Sequence, residues 1–152
     1  MTIKELGHVV LYVSDLKRSA DFYRDTLGFH EIARDEHALG QAGIALFSSG
    51  RTHHELLLIE IGGEPEPHRA PKPGLYHIGF KIGDGPEALR AVWRELRKKD
   101  VHIVGASDHG VTHSLYVLDP DGNELELYAD VSDAWKKDPR AVMVPIKSLS
   151  LK

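Results

Sequence analysis

The amino-acid sequence predicts an α+β fold built from two βαβββ modules. Three observations lead to this prediction: a strand-then-helix pattern occurs twice, further strand patterns follow each copy, and a segment rich in Gly and Pro separates the copies. We expect a single domain in which the modules pair to form a curved, partly closed mixed sheet. Its expected parts are module 1 at about 3–61, a linker at 62–74, module 2 at about 75–130 and a C-terminal tail at 131–152.

The first strand-then-helix pattern begins with HVVLYVSDL. Ser14 or Asp15 is expected to cap the amphipathic helix KRSADFYRDTL, which ends at Gly28 because Gly readily adopts the backbone conformation of a helix C-terminus. The second copy, HIGFKIGDGPEAL, has the same order, and Pro86 suits the first turn of its helix, EALRAVWRELRKK. This repetition indicates a duplicated unit.

The other strands are expected where β-branched, aromatic and alternating apolar residues lie between turn residues. They are 29–34, 43–48 and 53–61 in the first module, and 101–105, 113–118 and 124–129 in the second. Between the modules, GGEPEPHRAPKPG can continue neither a ladder nor a helix, so it predicts a linker. The tail is expected to pack on its own or a neighbouring subunit's surface.

Composition argues against several classes of partner. The 152 residues carry a net charge of -4 with both signs interspersed, so no basic face for nucleic acid is expected. The first residues lack a signal-peptide pattern and no apolar run is long enough to cross a bilayer, so we expect a cytoplasmic protein that binds no membrane. Because the chain has no Cys and ten His, any metal must be held by nitrogen and oxygen.

Strand alternation places two histidines and a glutamate on corresponding faces of the modules. His8 and His77 open the first strand of each module, and Glu126 lies on the last. If the two sheets pair, the faces opposite the helices line one cavity in which these three side chains converge. Two imidazoles and a carboxylate are the facial set typical of non-haem Fe(II), and sometimes Mn(II). A lone histidine on a strand is more often structural, as we interpret His113, but matching positions in a repeat favour a metal site.

Three segments carry a resemblance to a known family. GHVVLYVSDLKRSADFYRDTLGF, YHIGFKI and LYVLDPDGNELELY resemble the vicinal oxygen chelate (glyoxalase/bleomycin resistance/dioxygenase) superfamily over about residues 6–130. Within it, GRTHHELLLIEI and DHGVTHSLY are most similar to the small type I extradiol catechol dioxygenases. The resemblance implies that His8, His77 and Glu126 ligate iron. It also implies that His54, His109 and Tyr116 are catalytic residues, which contact the substrate or the intermediate formed from O2.

The activity implied by the resemblance is meta-cleavage of a catechol-type aromatic diol with Fe(II) and O2, with Mn(II) as a second possible metal. In that role Tyr116 and His109 would hydrogen-bond the substrate oxygens, and His54 would act as acid and base. The expected partners are thus a small aromatic diol and O2. A homodimer is a further expectation, because a curved sheet leaves an exposed edge and the C-terminal tail can pack on a neighbouring subunit.

Two other functions fit the same sequence. A glyoxalase-like or epimerase-like enzyme would polarise a substrate carbonyl with a divalent metal and move a proton with a carboxylate, and it would need Glu60 as a fourth ligand or base. In this interpretation Glu60 shares an inward strand face with His54, Leu56 and Leu58. A metal-free protein that binds a planar apolar molecule is the third alternative.

Overall fold

The computed structural model describes residues 1–40, 42–65 and 73–152. The chain divides into two compact units, Met1–Pro67 and His68–Lys152. The boundary falls in the predicted linker 62–74, of which residues 66–72 lie outside the described residues. Each unit has the predicted βαβββ order, which confirms the α+β prediction with two such modules.

Unit 1 is a four-stranded mixed sheet with one helical segment. The strand order is β1-β4-β3-β2, in which β1 and β4 are parallel and the other pairs are antiparallel. A βαβββ unit produces this arrangement because the helix returns the chain to run parallel to its first strand. The elements are β1 (Val9–Val13), α1 (Leu16–Asp21), a π-helical segment (Phe22–Thr26), β2 (His30–Leu39), β3 (Ala42–Ser48) and β4 (Leu56–Glu60).

The start and end of α1 follow from two sequence signals. Asp15 is the N-cap, and its Oδ1 accepts a hydrogen bond of 2.8 Å from the Arg18 amide, so the cap is the second of the two expected residues. Gly28 follows the last turn with φ of 82°, a conformation that favours Gly. The predicted helix is not α-helical throughout, because it becomes a π-helix at Phe22. There Tyr23 is fully buried among the rings of Phe29 and Phe47, a tertiary contact that helix periodicity does not report.

The helix side of the unit 1 sheet is its core. Leu11 pairs with Leu58 in the parallel register, and both are buried. The alternate residues of β1, Val10 and Tyr12, are 44% and 66% exposed. β1 therefore has a buried face on the helix side and an exposed opposite face, as strand alternation predicts.

Unit 2 is a five-stranded mixed sheet with one long helix. Its order is β5-β8-β7-β6-β9, in which β5 and β8 are parallel and the remaining pairs are antiparallel. The helix begins at Pro86 as predicted, and its Leu89 and Leu96, two turns apart, are buried. The elements are β5 (His77–Asp84), α2 (Pro86–Lys98), β6 (Ile103–Asp108), β7 (Thr112–Leu118), β8 (Glu124–Asp130) and β9 (Lys147–Ser148).

The C-terminal tail packs on its own unit. After two short 3-10 turns it forms β9, where Ser148 pairs with Ser107 of β6 in an antiparallel register. Leu151 is buried beyond that strand. The tail was expected to pack on its own or on a neighbouring subunit's surface, and the structure shows it in contact with its own chain. Across the described part of the chain, no helix has the length and apolar character needed to cross a membrane.

Candidate metal and substrate site

His77 and Glu126 lie on adjacent parallel strands of unit 2. His77 opens β5, and the register places Gly79 opposite Glu126, so both side chains project from the same face near one end of the sheet. His77 Nε2 is 3.1 Å from Glu126 Oε2, and both side chains are mostly buried. The structure therefore brings together two of the three predicted metal ligands.

This pair suits a divalent cation held by nitrogen and oxygen. Metal–ligand bonds to imidazole and carboxylate are about 2.0–2.2 Å, so two ligands at right angles lie about 3 Å apart. The observed N···O separation of 3.1 Å matches that spacing. An imidazole with a carboxylate is also a donor set that iron, manganese and zinc accept. The residues present thus fit a metal, for which His77 Nε2 and Glu126 Oε2 are the candidate donor atoms.

The other oxygen of Glu126 is held by β7, the next strand of the sheet. Oε1 accepts hydrogen bonds from Ser114 Oγ at 2.6 Å and from the Tyr116 hydroxyl at 3.1 Å. Tyr116 is paired directly with Glu126 in the antiparallel register, and Ser114 shares its face because it is two residues away. These bonds fix the orientation of the carboxylate and leave Oε2 toward His77.

His109 joins the same network from the turn between β6 and β7. Its Nε2 is 2.9 Å from the Tyr116 hydroxyl and 3.9 Å from Glu126 Oε1. The turn is tight, since the His109 amide donates to the Thr112 carbonyl and the Gly110 amide to Asp108 Oδ1. The family resemblance implies that His109 and Tyr116 contact the same substrate, and the structure places these two side chains in direct contact.

The Tyr116 phenol stays protonated over the whole neutral and moderately alkaline range. Burial and then the negative charge of Glu126 raise the pKa of Tyr116 to about 12. The site consequently offers a hydroxyl donor beside a carboxylate, with the His109 imidazole as a further partner of the phenol oxygen. Such a donor suits an oxygen anion of a bound substrate.

Unit 1 carries a cluster of three histidines at one end of its sheet. His8 precedes β1 and His54 precedes β4, and the Val9 amide donates to the Glu55 carbonyl, so these parallel strands start side by side. The His8 and His54 rings are 4.7 Å apart, and the Nδ1 atoms of His53 and His54 are 2.6 Å apart. Desolvation is the main cause that lowers the pKa of His54, and electrostatic repulsion from His53 and then from His8 lowers it further. His54 therefore lies in an environment that favours the neutral imidazole.

The prediction for the strand 53–61 was wrong at its start and on its faces. The strand begins at Leu56, so His54 lies in the loop before β4 and does not share a strand face with Leu58. Leu56 and Leu58 are buried on the helix side of the sheet, and the register that pairs Val13 with Glu60 puts Glu60 on that side too. Alternation alone cannot tell which face of a strand is the core face when both faces are largely apolar.

Glu60 has a structural partner in unit 1. Its Oε1 accepts a hydrogen bond of 2.9 Å from the Leu16 amide, the first residue of α1. The residues of β4 that point away from the helix side are Leu57 and Ile59, which have no ligand atoms. The fourth ligand that a glyoxalase-like or epimerase-like site would need is therefore not supplied by the opposite face of β4.

Several site residues escaped prediction. His53 contacts His54, Ser114 holds Glu126, and Glu124 lies buried beside His77 with its Oε1 at 3.6 Å from His77 Nδ1. The adjacent HH pair and the spacing ELE in the sequence are the signals that could have indicated His53 and Glu124. Tyr76, just before β5, hydrogen-bonds Glu124, and this bond is the main cause that raises the pKa of Tyr76.

The predicted ligands are divided between the units, with His8 in unit 1 and His77 and Glu126 in unit 2. Within either unit taken alone, the described residues form no group of three or more His, Asp or Glu arranged to bind a metal. The set of His8, His77 and Glu126 stays a prediction, as do the catalytic roles of His54, His109 and Tyr116.

Comparison with known proteins agrees with the motifs and the fold. A biphenyl-2,3-diol 1,2-dioxygenase 3 of Rhodococcus globerulus is 33% identical over 129 residues, which cover 82% of this chain and 63% of the relative, so the chain spans less than two thirds of that protein. A lactoylglutathione lyase of Neisseria meningitidis is 30% identical over 122 residues, which cover 80% of this chain and 87% of the lyase.

A solved structure agrees in fold. The glyoxylase/bleomycin resistance protein/dioxygenase domain from Frankia sp. EAN1pec has a TM-score of 0.69 at 21% identity and covers 85% of this chain and 99% of that domain. The superfamily pattern itself matches residues 5–127, which confirms the resemblance inferred from the motifs. The chain belongs to the Glyoxalase/Bleomycin resistance protein/Dioxygenase superfamily.

Proposed function

We propose that the protein is an extradiol dioxygenase, which cleaves the ring of a catechol-type diol with Fe(II) and O2. In this reaction the ring C–C bond beside a hydroxyl-bearing carbon breaks, both atoms of O2 enter the product, and the diol is oxidised. The single observation that carries the proposal is the contact of Tyr116 with both Glu126 and His109. A protonated phenol beside a candidate metal ligand is placed to bind a substrate oxygen.

The proposed metal ligands are His8, His77 and Glu126. A bound Fe(II) would attract both catechol oxygens as a Lewis acid and exchange electrons with O2. The bond from Ser114 Oγ keeps Glu126 oriented with Oε2 toward His77. A carboxylate held in this way loses little conformational entropy when it binds the metal.

The residues around the ligands would bind the substrate and move its protons. On substrate binding the Tyr116 hydroxyl turns from Glu126 Oε1, which Ser114 still holds, and donates to a catechol oxygen, while His109 stays in contact with that hydroxyl. His54 is the proposed base, because desolvation and its neighbouring histidines favour its neutral form. Since Nδ1 of His54 faces His53, Nε2 is the nitrogen that accepts and returns a substrate proton.

A non-oxidative metal enzyme is the second candidate. A lactoylglutathione lyase of Neisseria meningitidis is matched over 87% of its own length, which favours this alternative. The position of Glu60 argues against a non-oxidative enzyme, because this carboxylate accepts a hydrogen bond from the backbone of α1. Leu57 and Ile59 on the opposite face of β4 supply no replacement carboxylate.

One experiment separates the two candidates. Apo protein is loaded with Fe(II) without air, given catechol and then exposed to O2, while the yellow ring-cleavage product is followed by absorbance and its oxygen isotope content by mass spectrometry. The expected result is colour that requires both iron and O2, with two atoms of labelled oxygen in the product. No colour from catechol or substituted catechols, despite bound iron, would contradict the proposal. Turnover of a carbonyl substrate with Zn(II) or Ni(II) in the absence of O2 would then favour the second candidate.

A further inference from the structure

The imidazole of His77 lies between two carboxylates of one strand. The parallel register pairs His77 of β5 with Glu124 of β8, and Glu126 follows two residues later on the same face. His77 Nδ1 is 3.6 Å from Glu124 Oε1, and His77 Nε2 is 3.1 Å from Glu126 Oε2. Each ring nitrogen therefore faces a different carboxylate.

Glu124 is buried and held in place. Its residue is 5% exposed, an uncommon environment for a glutamate. The Tyr76 hydroxyl donates a hydrogen bond to it, and the Tyr76 ring is 4.5 Å from the His77 ring. The preceding turn is closed by the Asp119 amide, which donates to the Asn123 carbonyl, so the start of β8 is fixed. A buried carboxylate in a fixed position can orient a neighbouring group.

The hydrogen-bonding needs of His77 give Glu124 a role. A neutral imidazole has one N–H, and a metal binds the nitrogen that lacks it. For Nε2 to act as a ligand the hydrogen must be on Nδ1, which is buried and makes no hydrogen bond with any described residue. Glu124 Oε1 is the carboxylate oxygen that faces this atom. In metal sites the second nitrogen of a ligating histidine is commonly paired with a carboxylate, carbonyl or water.

We propose that Glu124 is a positioning residue, which holds His77 with its hydrogen on Nδ1 and its Nε2 directed toward the metal. Tyr76 supports this role by fixing the Glu124 carboxylate. The inference rests on the metal site of the proposed function and does not depend on the oxidative reaction. It assigns the two glutamates of ELE different tasks: Glu126 binds the metal and Glu124 orients its histidine.

The test measures metal affinity in three variants of the full chain. Glu124→Leu removes the acceptor, Glu124→Gln keeps an amide oxygen that can accept from Nδ1, and Asp130→Asn is the matched control on the same strand, where the carboxylate pairs with Lys81. Zn(II) and Mn(II) dissociation constants are measured by competition with a chelator. We expect the constant to rise about 10–100-fold in Glu124→Leu. It should rise less in Glu124→Gln and change less than about twofold in Asp130→Asn, whose carboxylate faces Lys81 and not His77.

A second readout reports the tautomer directly. In the Zn(II)-loaded, 15N-labelled protein, long-range 1H–15N correlation spectra identify which nitrogen of His77 carries the hydrogen. We expect the hydrogen on Nδ1 in the natural protein and in Glu124→Gln. Because unfolding would also change this signal, thermal unfolding of each apo variant checks that the fold is kept. If Glu124→Leu does not fold, the tautomer of His77 in the natural protein and in Glu124→Gln still decides, because a metal bound to Nδ1 overturns the inference.

Two results would overturn the inference: Zn(II) affinity in folded Glu124→Leu within twofold of the natural protein, or a metal bound to Nδ1 of His77. These outcomes are independent of ring cleavage. A protein without dioxygenase activity that loses metal affinity in Glu124→Leu refutes the proposed function and retains the role of Glu124. An active dioxygenase whose metal affinity does not depend on Glu124 would retain the proposed function and refute the role of Glu124.

Discussion

At the scale of single residues, the site of unit 2 is a carboxylate with two separate sets of neighbours. Oε1 of Glu126 is taken by Ser114 and Tyr116, and Oε2 faces His77. A carboxylate divided in this way can be held in place and still offer a lone pair to a cation. The side chains around it therefore have distinguishable roles that single substitutions separate.

Tyr116→Phe tests the substrate role of the phenol. We expect kcat/KM for catechol to fall about 10–100-fold, which corresponds to the loss of a hydrogen bond to a charged oxygen worth about 1.5–3 kcal/mol. The iron content should stay unchanged, because Ser114 still holds Glu126. Since the pKa of Tyr116 is about 12, its hydroxyl remains a donor up to strongly alkaline pH and adds no activity loss between pH 7 and 10.

Steady-state kinetics and iron analysis of Tyr116→Phe check this prediction. His102→Gln is the matched control, because His102 is exposed on the same unit and its ring has no part in the site. Normal turnover in Tyr116→Phe would show that the phenol only packs in the sheet.

At the scale of elements, parallel strand pairs place the candidate groups. In each unit the first and last strands of the βαβββ order run parallel, so residues at their starts lie side by side. In unit 1 this brings His8 next to His54, and in unit 2 it brings His77 next to Glu124 and Glu126. Glu60 would otherwise be a candidate ligand of unit 1. Its carboxylate instead accepts a hydrogen bond from the backbone amide of Leu16, the first residue of α1.

Glu60→Gln therefore separates a structural from a metal-binding glutamate. The glutamine oxygen can still accept from the Leu16 amide, so we expect Fe(II) and Zn(II) affinities within about twofold of the natural protein. The free energy of unfolding should fall by about 1 kcal/mol or less, because a negative charge near a helix N-terminus is lost. Competition binding and urea unfolding measure the two effects. Glu126→Gln is the comparison variant, for which we expect much weaker metal binding, and the same loss in Glu60→Gln would favour the non-oxidative enzyme.

At the scale of the whole molecule, the candidate residues come from both halves of a duplicated chain. Unit 1 carries the histidine cluster, and unit 2 carries the pair His77 and Glu126 with its tyrosine and second histidine. A duplicated unit that diverges in this way can assign ligands and proton-transfer groups to different copies of the same position. His8 and His77 open corresponding strands, yet their neighbours differ.

The contribution of unit 1 to metal binding is tested with His8→Ala. If His8, His77 and Glu126 form the ligand set, removing one of the three should weaken Fe(II) binding at least about 10-fold, which equals about 1.4 kcal/mol. His102→Ala, an exposed histidine outside the set, should bind Fe(II) like the natural protein. Metal content after dialysis and competition titration provide the measurement. Unchanged affinity in folded His8→Ala would leave unit 2 as the metal-binding half.

The sequence by itself determined the local features of both units. A helix cap at Ser14 or Asp15, the first-turn Pro86 and the alternation of β1 follow from interactions within a few residues, so their patterns are visible in the chain. The family was also determined by short motifs, since HVVLYVSDL and LYVLDPDGNELELY already carry the resemblance.

Only the tertiary structure decided which side chains serve the fold and which can serve the site. Glu60 and Leu16 are 44 positions apart, and no local pattern reveals that the Glu60 carboxylate accepts a hydrogen bond from the Leu16 amide. Likewise Glu124 becomes a neighbour of His77 through the register of two strands separated by a helix and two further strands. Pairing between distant segments depends on how the whole core packs, so the partners of a buried carboxylate are a property of the assembled fold.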